Sequence, residues 1–229
     1  MAYDDFGAQS LFFVEIVKKC VTFRSCQDAQ LVLKLKYEFM RNGRQQPSQW
    51  RIFLDNEVYL TRNYRRYCDH DALDTPLQLY RCKVSKEWVD YNGHMSESFF
   101  LFAFGDASDA LFRYVGIDES YRKAGSSFYT VETHINYFQE ASQAQPLYFT
   151  TQLLGLDDKR LHFLHSMYNA DTDDLLATTE QMLLHVDVQV AKATPIKAQV
   201  FEVLCKIMQA QSTLPKPLQV GRVMKIKAK

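Results

Sequence analysis

"VDYNGHMSESFFLFAF", residues 89–104, sets an acid, an amide, a glycine and a histidine side by side and then runs into an unbroken apolar stretch. Asp90, Asn92 and Gly93 are turn formers. Short polar side chains bond loop backbone, and glycine accepts a left-handed φ at no steric cost. Ser96 before the apolar run and Gly116 after it predict a helix from about Ser96 to Tyr114. Phe99, Phe100, Leu101, Phe102, Ala103, Phe104 and Ala107 leave the first half of that helix little polar face, so it is expected to be buried. Its polar stripe is Asp106, Asp109 and Arg113. It reads either as a carboxylate facing a ligand or as an exposed Asp109–Arg113 pair.

Working outward, "LQLYRCKV" (77–84) reads as a strand before the helix. Four apolar segments follow it: "SFYTVETHINYF", "PLYFTTQLLG", "RLHFLHSMYN" and "LLATTEQMLLHVDVQV". Turn signals separate them at Gln145-Pro146, Gly155 to Lys159 and Asn169 to Asp174. Connections this short join antiparallel strands, so the expected class is α+β, an antiparallel sheet wrapped around one long central helix. Alternation in "YTVETHINYF" places Tyr129, Val131, Thr133, Ile135 and Tyr137 on one strand face. A last amphipathic helix is expected from Pro195 to about Gln211, and the basic tail "PLQVGRVMKIKAK" is expected to be mobile.

Residues 1–76 carry no chemical motif. "SLFFVEIVKKC" and "DAQLVLKLKYEFM" suit helices, with Ser10 and Asp28 as N-caps, and a third helical stripe runs from Trp50 to Tyr64. The expected organisation is a helical appendage or relic of a fused domain over 1–76, a sheet domain over 77–190, and a helix with basic tail over 191–229. The 27 basic and 27 acidic residues cancel, which argues against nucleic acid or an anionic membrane as the main partner. Five cysteines, widely spaced and without a C-x-x-C, read as reduced thiols in a cytoplasm. "LFFVEIV" is too short for a membrane span, and the acidic start is unlike a signal peptide.

"WVDYNGHM" (88–95), followed by a buried helix and four antiparallel strands, resembles the hotdog-fold acyl-CoA thioesterases of the 4-hydroxybenzoyl-CoA type. "DASDALFRYVGID", "YTVETHINYFQEA" and "DDKRLHFLHSMYN" resemble the thioesterase module of bacterial carnitine breakdown, which acts on betainyl-CoA and is sometimes fused behind a carnitine dehydrogenase. The resemblance spans roughly residues 77–190. It implies a hotdog fold, an acyl-CoA substrate, no cofactor beyond the substrate's own coenzyme A, and Asp90 as catalytic carboxylate. The chain departs from the family pattern at Ser96 and Glu97, where many members carry two asparagines, so contacts made by that pair are not transferred.

Thioester hydrolysis needs a base or nucleophile, donors for the developing oxyanion, and water; the thiolate leaves readily. Asp90 suits the first role, as nucleophile or as general base. The first amides of the buried helix, around Ser98 and Phe99, suit the second, at the positive end of the helix dipole. Gly93 makes the turn between them. Asn92 and His94 either line the pocket or fix the loop backbone, and Asp90 has the same structural alternative as an Asx-turn or cap residue. A betainyl group would be held against aromatic faces, with Trp88, Tyr91, Phe99, Phe102 and Tyr129 as candidates that core packing explains equally. Lys159 and Arg160 are turn cations for the coenzyme A phosphates, or simply solvated. His162 and His165, three apart on a strand, are expected on opposite faces, which argues against a metal site. A lone sheet of this kind leaves an open edge, so a homodimer or homotetramer is expected. The rival functions are a hotdog enoyl-thioester hydratase and a non-catalytic acyl-CoA-binding or dehydrogenase-associated module.

Overall fold

The computed structural model describes residues 65–224 and 226. The expected N-terminal helices, with Ser10 and Asp28, lie outside the described residues. In chain order the elements are β1 (Leu77–Lys83), a 3-10 turn (Lys86–Trp88), α1 (Glu97–Tyr114), α2 (Glu119–Lys123), β2 (Ser126–Tyr137), β3 (Pro146–Leu156), β4 (Arg160–Asn169), β5 (Leu175–Asp187), β6 (Lys192–Ala193), α3 (Ala198–Ala210) and a second 3-10 turn (Gln211–Thr213). The strands form one antiparallel sheet in the order β1-β3-β4-β5-β2, with β6 added to the end of β5. No described helix is long and apolar enough to cross a membrane.

The sheet curls around α1. Phe104, Leu111 and Tyr114 of the helix are sealed against a sheet face that carries Phe149, Leu153, Leu161, Phe163 and Leu183. Burying such side chains supplies about 1.5–3 kcal/mol each. Val200, Leu204 and Ile207 of α3 close the same core. The residues just before β1 join it too: the Tyr67 amide donates to the Tyr114 carbonyl at 2.9 Å, and Gln211 Nε2 donates to the Thr75 carbonyl at 3.0 Å. Residues on both sides of position 76 therefore pack together.

Three expectations change. Strict alternation along β2 fails because Val131 is an extra residue: Thr130 pairs with Leu183 and Glu132 with Met182. Beyond this bulge the faces exchange. Thr133, Ile135 and Tyr137 follow the inner face of Phe128, while Tyr129 pairs with Leu184 on the outer face. The helix stripe is not exposed either, since Asp106 is 1% and Arg113 9% accessible. Finally, the start of the basic tail is anchored on the sheet. Just before the tail the Pro215 carbonyl accepts from Gln152, and within it the Gly221 amide donates to Glu180 at 2.8 Å and Arg222 reaches Asn136.

Candidate active site

Residues 88–96 form a tight pinched loop. Val89 bridges Met95, the Asp90 amide donates to the His94 carbonyl at 3.0 Å, and the Gly93 amide donates to the Asp90 carbonyl at 3.0 Å. Gly93 sits at φ +81°, where a Cβ would be strained. Inside the turn, Asp90 Oδ1 accepts the Asn92 amide at 2.8 Å. This Asx turn fixes the carboxylate of a half-buried residue through one oxygen and leaves Oδ2 outside the turn. The structural and chemical readings of Asp90 are therefore compatible.

The loop is held from behind by the segment between β2 and β3. The Met95 amide donates to the Ala141 carbonyl at 2.7 Å, His94 bridges Ser142, and His94 Nε2 lies 3.3 Å from Glu140. His94 thus points its ring at Glu140 and secures the loop. Ala141 and Ser142 have no signature in the sequence, because they act through backbone.

Ser96 passes the chain into α1 by donating its amide to the Trp88 carbonyl at 2.8 Å. Its hydroxyl caps none of the first-turn amides. The Phe99 amide is taken by the Ser96 carbonyl at 2.9 Å, whereas those of Glu97 and Ser98 have no intrahelical acceptor. These two are the donors the helix start offers to an oxyanion. Tyr137, from the end of β2, packs edge-on against Phe100 at 5.3 Å and points its hydroxyl toward the Glu97 carbonyl.

Beside the turn, Trp88 stacks on Phe99 with centroids 6.0 Å apart and meets Phe102 edge-on at 5.8 Å. Trp88 is buried, and Phe99 and Phe102 are half-buried. One turn further along α1, Asp106 accepts a hydrogen bond from the Tyr80 hydroxyl of β1 at 2.9 Å. Burial raises the Tyr80 hydroxyl pKa and pushes the neighbouring Cys82 thiol up to about 12. Tyr80 reads in sequence as one more strand aromatic, and only the fold reveals its partner.

The remaining candidates are not gathered here within one chain. Tyr91 stands at the loop tip, 95% exposed, and Tyr129 lies on the outer sheet face. Lys159 and Arg160 occupy the β3–β4 turn, at the far end of the 11-residue β3 from Ser142, roughly 35 Å away along the strand. Arg160 is already paired with Asp157 at 2.6 Å. His162 and His165 do face opposite sides. His162 pairs with Glu180 at 2.8 Å, while His165 is sealed in the core between Ser108 at 3.0 Å and Thr151 at 2.8 Å.

A family model, that of the thioesterase-like superfamily, matches residues 84–204. The betainyl-CoA thioesterase of Pseudomonas aeruginosa is 40% identical over 149 residues, which cover 65% of this chain and 94% of that protein. The L-carnitine dehydrogenase/betainyl-CoA thioesterase of Rhizobium meliloti is 48% identical over 147 residues, 64% of this chain and 30% of that protein. A Rhizobium sp protein of the same name is 41% identical over 79% of this chain and 36% of its own length, so the chain spans about a third of such relatives. Among solved structures, a Pseudomonas putida KT2440 protein matches with TM-score 0.59 at 37% identity, over 67% of this chain and 99% of that one. A Staphylococcus aureus protein solved in complex with CoA shares the fold, with TM-score 0.60 at 22% identity over 66% of this chain and 97% of its own.

Proposed function

Because the chain belongs to the thioesterase-like superfamily, we propose that it hydrolyses a short acyl-CoA thioester, with betainyl-CoA as the favoured substrate. The observation that carries this reading is the pairing of a carboxylate and a helix start in one rigid loop. Asp90 is fixed by its own Asx turn, and seven residues later, at Glu97, the backbone enters α1 with no side-chain cap. A thioester carbonyl placed against the Glu97 and Ser98 amides is polarised as its oxygen gains charge. One such donor is worth about 3–4 kcal/mol of transition-state stabilisation. Asp90 Oδ2 either takes a proton from the attacking water or attacks the carbonyl carbon itself. In both routes water supplies the new carboxylate oxygen and coenzyme A leaves as thiolate. The name of the Pseudomonas aeruginosa relative, matched over 94% of its length, supports the betainyl group.

The working unit in this reading is a homodimer or larger. Strand β2 ends the sheet and carries exposed Val131 and Tyr137, with exposed Phe138 just after it. A second copy across a dyad covers that edge, beside the loop that holds the site.

The test is thiol release from betainyl-, acetyl- and 4-hydroxybenzoyl-CoA by wild type and Asp90→Asn. Wild type is expected to prefer betainyl-CoA, and the substitution to cut kcat/KM at least about 1000-fold. Full rate in Asp90→Asn removes Asp90 from the chemistry. Water addition to crotonyl-CoA without thiol release assigns the fold a hydratase instead, and silence on every thioester leaves a binding module.

A further inference from the structure

We propose that the residues after Arg222 form an exchanged arm. In the edge-paired dimer each chain passes its residues 223–226 over β2 and onto the outer sheet face of the second copy. This deepens the homodimer reading above and rests on it.

After α3 the chain wraps around the sheet. Gln211 Oε1 accepts the Leu153 amide of β3 at 2.8 Å. The Pro215 carbonyl accepts from Gln152 of β3, the Gly221 amide donates to Glu180 of β5, and Arg222 donates to Asn136 of β2 at 3.5 Å. Gln152, Leu164 and Glu180 form one cross-strand row, and Asn136 pairs with Thr178, two residues along β5, so these side chains share the outer face. The anchors therefore cross the sheet from β3 to its last strand, β2. Past that strand the chain leaves its own surface. Val223 is 79%, Met224 87% and Ile226 99% accessible. Single exposed apolar side chains are ordinary, but three within four positions make a patch.

Place and chemistry both point to a second copy as the cover. Strand β2 is open over residues 130–133, four exposed positions in a row. An antiparallel β2–β2 pair has its dyad perpendicular to the sheet, so the outer faces of the two copies become one surface. Pairing centred on the open run sets Asn136 of one copy opposite the start of β2 in the other, near Ser127. Extended chain from Arg222 to Ile226 reaches roughly 13–14 Å, about three strand spacings. Within that reach, the outer face of the second copy presents half-buried Met182 and Leu184 of β5. The same face carries exposed Glu132, which makes no ion pair among the described residues, while the arm sequence is basic at Arg222, Lys225, Lys227 and Lys229. An apolar patch with basic flanks thus meets an apolar patch with an acidic neighbour.

Two measurements on the full chain test this. Sedimentation over a range of concentrations compares wild type with the triple variant V223S/M224S/I226S, whose dimer is expected to dissociate at least about 100-fold more readily. These positions are exposed, so the fold is kept, which circular dichroism checks. At concentrations where the variant is still dimeric, its kcat/KM should stay within about twofold of wild type, because the arm lies on the outer face. For the second measurement, Met224 is replaced by the photo-cross-linker benzoylphenylalanine in a mixture of nitrogen-15-labelled and unlabelled copies. Cross-links are expected to join labelled to unlabelled chains and to fall on β2 and β5. An unchanged dissociation constant in the triple variant, or cross-links confined within one chain, overturns the arm and leaves the dimer standing. So does capture of wild type by phosphatidylglycerol vesicles that the triple variant loses while its dimer is unaltered, since the patch then serves a lipid surface. A wild type that is monomeric at every concentration overturns the dimer reading and the arm with it.

Discussion

Two of the turns built around an aspartate in this domain stand near opposite ends of β3. At one, Asp157 Oδ1 accepts the Lys159 and Arg160 amides at 2.9 and 2.6 Å, and Oδ2 accepts the Arg160 guanidinium at 2.7 and 2.6 Å. The Lys159 amide and the Arg160 guanidinium hold this carboxyl below the usual carboxylate range. At the other, Asp90 Oδ1 accepts only the Asn92 amide within its turn, and the loop is secured instead by backbone bridges and by His94 on Glu140. The first carboxylate is consumed by its own fold. The second is positioned by one oxygen with the other left over, which is the arrangement a base or nucleophile requires. The same residue type in the same kind of turn is architecture when saturated, and when half-saturated it keeps an oxygen for the chemistry proposed for Asp90.

The largest effect expected from this contrast is kinetic. Asp90→Asn preserves the Asx turn, because the amide oxygen still accepts from Asn92, and removes the charge. Its melting temperature should stay within about 2 °C of wild type while turnover collapses. Asp157→Ala should show the reverse, with kcat/KM within about twofold of wild type. Thiol-release assays and melting curves on both variants read this directly. Matching kinetic losses in the two would abolish the distinction between the turns.

How far the sequence reveals these roles depends on whether the cause is local. Strand β1, helix α1 and the four long strands follow from apolar periodicity and from Gly116, and their ends fall within a few residues of expectation. The Asp90 turn is equally legible, since Asn92 and Gly93 are its neighbours. The pairing of Asp157 with Arg160, three residues on, is local too. What stays hidden depends on distant partners. The bulge at Val131 is a matter of register against β5, and it moves Tyr129 to the outer face without altering the alternation that suggested otherwise. Asp106 looks like part of a solvated stripe until β1, 26 residues upstream, lays Tyr80 against it. The tail reads as mobile because nothing near it in sequence announces that Asn136 and Glu180 will hold it.

His165 sharpens the saturation rule from the core. One ring nitrogen lies 3.0 Å from the Ser108 hydroxyl and the other 2.8 Å from that of Thr151, so neither is left over. Burial pushes its pKa down to about 3. The unfolded chain takes up this proton near pH 6.5 and the folded chain does not until far lower. The His165 contribution is therefore fully present above about pH 6.5 and is lost as pH falls toward 3. His165→Gln, uncharged throughout, is expected to be about 2 kcal/mol less stable at pH 7. That deficit should shrink by about 1.4 kcal/mol per pH unit below 6.5. His185, whose pKa burial also lowers, is present in both proteins and cancels from the difference. Urea midpoints at pH 7 and 5 measure it, and a constant gap would mean the ring is not held neutral.

The smallest effect belongs to Asp157, and its pH window separates it from His165. A carboxyl whose pKa is lower folded than unfolded stabilises the fold above the unfolded value, near 3.9, and loses that contribution as pH drops through the folded value. Asp157→Ala removes the acceptor of two backbone amides and one surface ion pair. Such exposed interactions sum to a melting deficit of about 2–4 °C in a domain of this size. Between pH 7 and pH 5 that deficit should not move, because both values lie above the window, whereas the His165→Gln deficit is already shrinking there. Melting curves of the two variants at those two pH values distinguish them. An Asp157 deficit that falls between pH 7 and 5 would mean its carboxyl is not held low by the turn, and the saturated member of the pair would lose its standing as the structural reference for Asp90.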